Sequence, residues 1–265
     1  MSRPRLIALD LDGTLLDEER QISERSRRAL ARAVDAGTTV ILCTGRPPRM
    51  THDYAEALSL EQSIVFNGAT LLDHRDRSCV HHHVLTADAV RTVVSRLRGS
   101  LQGVAIGLET PSGWFVDEAI FREKRARQEA AGLPPPDGVG RVEEFLQDGA
   151  IKVFARHADV PVERMAAQIA DLPIYVTWSG SYLLEVMHPD VNKRDALERL
   201  CAELGILRED VAAFGDNHND VQMLRWAGQG VAVANASPEA QEAAAEVTAS
   251  NAADGVAVVL ERWFG

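Results

Sequence analysis

The apolar run Leu6-Ile-Ala-Leu9 stops on Asp10, and a helical stretch and a second apolar run, ending at Cys43, follow it. Short apolar runs bounded by turn signals read as strands buried on both faces. Between them Ser23 offers an N-cap, residues 24–36 a helix, and Gly37 the position just past its end. Strand, helix, strand in this order predicts a parallel βαβ unit rather than a hairpin. The same pattern returns after Val191, with helix 194–204, strand 211–214, helix 219–227, strand 231–233, and helices over 238–246 and 253–263, the former opened by Ser237-Pro238.

The middle of the chain reads differently. Strands are predicted at 103–109, 113–118, 150–156, 173–178 and 182–187, with helices around 87–98, 119–130 and 161–171. The short turns Thr110-Pro-Ser-Gly113 and Ser179-Gly-Ser181 favour antiparallel pairing of their flanking strands. The expectation is an α/β fold: a Rossmann-like, doubly wound parallel sheet built from 1–81 and 188–265, interrupted by an inserted α+β domain over 82–187. A chain of 265 residues, 46% hydrophobic and 25% charged, can fill two such cores.

The formal charge of −11 argues against a nucleic-acid partner, which would need clustered Lys and Arg. No run approaches 18 apolar residues, and the start Met-Ser-Arg-Pro-Arg lacks a signal-peptide core, so a cytoplasmic protein without a membrane partner is expected. Cys43, Cys79 and Cys201 lack the spacing of a disulfide framework or a structural zinc site, and Cys43 reads as a buried thiol. Nothing in the sequence indicates an oligomeric partner.

Chemistry-bearing residues fall where the predicted strands end, which is where open parallel sheets collect ligands. Asp10-Leu-Asp12-Gly-Thr14 ends the first strand and Thr44-Gly45-Arg46 the second. Asn192-Lys193 precedes a helix, and Gly215-Asp-Asn-His-Asn-Asp220 joins a strand to a helix. Together these motifs resemble the haloacid dehalogenase superfamily, and specifically its Cof-like phosphatase branch, with a cap inserted in the core. Val65-Phe-Asn-Gly-Ala69 and Val233-Ala-Asn-Ala236 resemble two accessory patterns of that branch.

The resemblance implies Asp10 as nucleophile, Asp12 as general acid and base, and Lys193 as the lysine of the third motif. It places Mg²⁺ on the Asp10 carboxylate, the Asp12 backbone carbonyl and Asp216. Thr44, Gly45 and Asn219 would meet the phosphoryl oxygens, and Asp220 would orient Lys193 or a metal-bound water. Physical chemistry agrees: two carboxylates 4 Å apart repel by ~4 kcal/mol at an effective dielectric near 20, so four gathered together need a cation. Oxygen ligands select a hard ion. Neighbouring carboxylates should raise the pKa of Asp12 toward the protonated acid that a leaving alkoxide requires. If the helix begins at Asp216, Asp216 and Asp220 share a face.

Weaker signals remain. Arg46 could reach the far end of a substrate, as could Glu185 from the inserted domain. His81-His-His83 places two imidazoles on one side of a strand, but no third ligand can be assigned, so a surface strand is the reading. The predicted function is Mg²⁺-dependent hydrolysis of a small phosphorylated metabolite, a sugar phosphate or phosphorylated cofactor, through an aspartyl-phosphate. The alternatives are a phosphotransferase or phosphomutase on the same scaffold and a non-catalytic sugar-phosphate sensor. A sensor needs neither nucleophile nor acid.

Overall fold

Along β1 (Leu6–Leu9), Leu6 and Ala8 pack into one apolar cluster and Ile7 and Leu9 into another, all four fully buried. That alternation is what a strand covered by helices on both sides requires. The computed structural model describes residues 3–122, 132, 134–179 and 183–265. They divide into one unit running to Val80 and resuming at Asn192–Gly265, and a second of His81–Val191. Among the described residues no helix is long and apolar enough to cross a membrane.

Strands and helices are numbered along the chain. The sheet of the first unit contains β1, β2 (Thr39–Cys43), β3 (Gln62–Val65), β4 (Thr70–Asp73), β5 (Cys79–His81), β12 (Val211–Gly215), β13 (Gln229–Ala232) and β14 (Glu246–Val247). Its order is β14-β13-β12-β1-β2-β3-β4-β5, parallel from β14 to β3 and antiparallel between β3 and β4. From β1 the chain winds outward through β2 and β3, then returns to the other side of β1 with β12. The switch point of the sheet therefore lies between β1 and β12, where their following loops diverge.

On one face α1 (Glu24–Asp35) contributes Ala29 and Leu30, and the closing helix Gly255–Phe264 adds Val256 and Leu260, against Ile7, Leu42 and Phe214. On the other, Leu197 and Leu200 from Lys193–Leu204 and Met223 from Val221–Trp226 pack on Leu6, Ala8 and Ile41. The predicted N-cap holds: Ser23 Oγ accepts from the Ser26 N–H at 3.0 Å. Cys43 is fully buried, and burial pushes its thiol up to about 12.

The second unit carries a six-stranded sheet of β6 (Ala105–Thr110), β7 (Gly113–Val116), β8 (Gly138–Val139), β9 (Lys152–Arg156), β10 (Tyr175–Ser179) and β11 (Leu183–Met187), in the order β10-β11-β9-β6-β7-β8. The β6–β7 and β10–β11 pairs are antiparallel, as the short turns required; the turn residues 180–182 themselves lie outside the described residues. Helices Ala87–Ser100 and Val162–Ala167 cover one face through Val90, Val94, Leu97 and Met165.

Several elements depart from the sequence reading. The helix expected over 161–171 stops at Ala167, because Gln168 and Ile169 donate to carbonyls three residues back and tighten the chain before Pro173. The helix expected over 238–246 stops at Ala243, and Glu246–Val247 instead add an edge strand beside β13. Most of the helix expected over 119–130 lies outside the described residues. At the second crossing the division falls after Val191 rather than after residue 187. The Val191 N–H donates to His188 O, and the His188 ring stacks on His83, which keeps this turn with the second unit.

Candidate active site

Asp10 follows β1 in extended conformation, 5% exposed. The chain then turns sharply. Asp12 stays extended, Gly13 takes φ +82°, and the Leu16 N–H donates to Leu11 O at 2.9 Å. A Cβ on Gly13 would sit 2.4 Å from Asp216 Oδ2, so only glycine lets the loops after β1 and β12 meet this closely. Thr14 Oγ1 donates to Asp216 Oδ1 at 3.3 Å, and Asn235 Nδ2 donates to Gly13 O at 2.8 Å.

Lys193 opens its helix behind the cap Asn192, whose side chain accepts from the Asp195 N–H. The Lys193 side chain is fully buried, and its Nζ donates to Asp10 Oδ1 and Asp220 Oδ1, each at 2.6 Å. An ammonium without water needs such partners. Burial alone would lower its pKa; the charges of Asp10 and Asp220 outweigh this and hold it above the usual lysine value.

Asp216 and Asp220 do not share a helix face. The turn begins only at His218, capped by Asn217, so Asp216 precedes the helical residues. Asp220 instead folds back: its Oδ2 accepts from the N–H groups of Asp216 and Asn217 at 3.0 and 3.1 Å. Both oxygens of Asp220 are thus engaged, one by the ammonium and one by the backbone.

The cluster carries surplus negative charge. Asp10, Asp216 and Asp220 place donor oxygens within 4.8 Å of one another, against the single ammonium of Lys193. Burial, reinforced by Asp220 and Asp216, raises the pKa of Asp10 despite Lys193. Burial and the Asp220 charge push Asp216 up to about 7. Carboxylates so destabilised fit a divalent cation. With Asp220 engaged, Asp10 and Asp216 are the side chains able to hold it.

Asp12 departs from expectation. Burial would raise its pKa, but Arg46 grips it with two hydrogen bonds, Nε to Oδ2 at 2.7 Å and Nη2 to Oδ1 at 2.6 Å, and the net shift is downward. Arg46 itself is aimed by Met50 O at 3.3 Å and by the Tyr54 ring, 4.9 Å from Cζ to centroid. The arginine expected to reach a substrate is therefore a partner of Asp12.

Thr44, 1% exposed, accepts at Oγ1 from the Arg46 N–H at 3.2 Å. The missing side chain of Gly45 makes room for Asn67, whose Oδ1 would lie 2.9 Å from a Cβ there. Asn219 Nδ2 donates to Asn67 Oδ1 at 2.9 Å, and Asn67 Nδ2 is a buried donor without a partner among the described residues. The sequence reading quoted Asn67 only within Val65-Phe-Asn-Gly-Ala69 and gave it no role. Its signal was an Asn-Gly pair after an apolar run, held here with Asn67 at φ +56°. Glu185 belongs to the sheet of the second unit, where it accepts from Lys152 Nζ at 2.7 Å.

A profile of the haloacid dehalogenase-like hydrolases matches residues 7–260. The chain belongs to this family. It is 31% identical over 272 residues to the 5-amino-6-(5-phospho-D-ribitylamino)uracil phosphatase YitU of Bacillus subtilis, covering 99% of this chain and 98% of that one. It is 32% identical over 271 residues to the pyridoxal phosphate phosphatase YbhA of Escherichia coli, covering 96% of each. A crystal structure of a haloacid dehalogenase-like hydrolase from Bacteroides thetaiotaomicron superposes with a TM-score of 0.84 at 25% identity, covering 99% of this chain and 100% of that one. The expected α/β class and superfamily thus hold, and the protein is a phosphatase of the haloacid dehalogenase superfamily.

Proposed function

We propose that this phosphatase hydrolyses small phosphate monoesters, sugar phosphates or phosphorylated cofactors, with Mg²⁺, through an aspartyl-phosphate on Asp10. One observation carries the reading: Lys193 Nζ lies 2.6 Å from both Asp10 and Asp220 at the switch point of the sheet, beside the protonation-prone Asp216. Asp10 and Asp216, with the Asp12 backbone carbonyl, would hold the cation, which offsets negative charge on the carboxylates and the phosphate.

In this reading an Asp10 oxygen attacks phosphorus while the bond to the leaving oxygen breaks. The Asp12 carboxyl delivers a proton to that oxygen. Asp12, now a carboxylate, removes a proton from the water that attacks the aspartyl-phosphate, and phosphate leaves with Asp10 restored. Lys193 fixes the Asp10 carboxylate and neutralises charge as the dianion approaches. Thr44, Asn67 Nδ2 and the Gly45 N–H supply donors for the phosphoryl oxygens. The Arg46 pair favours Asp12 as a base, the form used in the second half-reaction; proton delivery in the first needs that grip to loosen.

The test is phosphate release from p-nitrophenyl phosphate, pyridoxal phosphate and a panel of sugar phosphates, with Asp10→Asn as control. Free phosphate from the wild type, and none above background from Asp10→Asn, supports the reading. Transfer to an acceptor without free phosphate would assign a phosphotransferase.

A further inference from the structure

We propose that His83, His188 and Asp190 form a second divalent-metal site, for Zn²⁺ or a similar borderline transition ion, separate from the carboxylate cluster. The sequence offered three adjacent histidines and no further ligand. The fold brings His188 and Asp190 to His83, and one donor atom from each lies within 4.8 Å of the other two. The His83 and His188 rings stack with centroids 5.2 Å apart and planes inclined 22°. Asp190 Oδ2 lies 3.7 Å from His188 Nδ1, which also accepts from the Asp190 N–H at 3.3 Å. Both imidazoles are half-buried and the carboxylate is exposed, so the group is open to an ion from solvent.

Two imidazoles and a carboxylate are the donor set of an open tetrahedral zinc site, with water in the fourth position. Zinc bonds of about 2.0–2.1 Å put tetrahedral ligand atoms roughly 3.3 Å apart, so the donors close inward by about an ångström and a half at most. A metal lies in the plane of each ring it binds, so the rings must also turn out of their stack, a rotation half-exposed side chains can make. Imidazole donors select against Mg²⁺, so the two sites differ in the ion they prefer.

The location suggests what the ion does. His83 is the third residue of the second unit and Asp190 its last but one. An ion held by both ends closes a loop of more than a hundred residues, where a cross-link removes most freedom from the unfolded chain. The site is thus a clip that stabilises the second unit.

The experiment is calorimetric titration of metal-stripped full-length protein with ZnCl₂ in saturating Mg²⁺. One Zn²⁺ per chain is expected, with Tm raised by its binding. His83→Ala and His188→Ala should each weaken binding by at least about tenfold, and Asp190→Asn by several-fold. His82→Ala and Asp216→Asn should leave it unchanged. Co²⁺ in place of Zn²⁺ should give tetrahedral visible absorption that His188→Ala abolishes. Far-UV circular dichroism checks each variant, with His188→Gln replacing any alanine variant that fails to fold. The proposal is overturned if no Zn²⁺ binds in excess Mg²⁺, if binding survives both histidine variants, or if His82→Ala removes it equally, since the histidine tract alone would then be the ligand.

Discussion

Each unit holds a buried lysine against carboxylates, and the two settings differ in where the partners sit on their strands. Lys193 lies at a helix start, and its partners Asp10 and Asp220 come from the loops that follow β1 and β12. Lys152 lies within a sheet, on β9, bonded to Glu185 of β11 and in register with Glu109 of β6. In the sheet the peptide groups around the charges are committed to ladder bonds. At the strand ends they are not, and the N–H groups of Asp216 and Asn217 are there to hold Asp220. Similar side chains at similar burial are therefore held by loop backbone in one place and within a sheet ladder in the other.

The largest effect that tests this contrast is loss of the nucleophile. Asp10→Asn should lower kcat on p-nitrophenyl phosphate by roughly 10⁴-fold or more, while the circular dichroism of the fold is unchanged. Turnover near the wild-type rate would remove Asp10 from the chemistry.

Next is the pair of lysines. Lys193→Ala should lower kcat/KM by about 10²–10³-fold on every substrate, as expected when charge stabilisation of the reacting phosphoryl group is lost. Lys152→Met should instead destabilise the fold by about 3–5 kcal/mol, because Glu185 is left buried without its partner. Adding Glu185→Leu should restore part of that loss, and p-nitrophenyl phosphate turnover per folded molecule should stay within a few-fold of wild type. Denaturant titration beside steady-state kinetics separates the outcomes; an Lys152 effect on turnover alone would erase the distinction between the lysines.

A smaller effect follows from Asp216. In the folded, metal-free protein its carboxyl keeps its proton to about 7, against 3.8 for an ordinary aspartate. The folded state therefore binds more protons across that window, and this contribution to stability is lost as pH rises through it. Tm of EDTA-treated protein should fall between about pH 4 and 7 relative to Asp216→Asn, and the gap opened by adding Mg²⁺ should widen with pH. A Tm gap independent of pH would mean that Asp216 does not face the cation.

The smallest effect sets the scale for the others. Glu24 and Arg28, an exposed pair one helical turn apart, should contribute only about 0.3–0.5 kcal/mol, so Glu24→Gln should barely move the denaturation midpoint.

The α/β class was legible because the central strands of the first unit announce themselves locally: Leu6–Leu9 and Thr39–Cys43 are short apolar runs, with a capped helix between them. Edge elements were less legible. Glu246–Val247 has no apolar run and becomes a strand only because β13 offers it an edge. At the site, Asp10, Lys193, Asp216 and Asp220 stood out as strand-end or helix-start residues, and the structure brings them together. Asn67 stood in a quoted motif without a role, since a turn-forming Asn-Gly pair looks the same whether or not its amide is left unpaired.

What the amino-acid sequence determined by itself was periodicity and punctuation: where apolar runs stop, which helices are capped, and which residues stand at the ends of strands. Only the tertiary structure decided which charge meets which. Arg46 holds Asp12 across 34 residues, Lys193 reaches Asp10 across 183, and Lys152 meets Glu185 across 33. Sequence patterns report the conformation of neighbours, whereas these pairings depend on strand order and register, which are set by burial of the whole sheet. The pKa of Asp12 illustrates the difference: its neighbours in sequence said nothing of the guanidinium that lowers it.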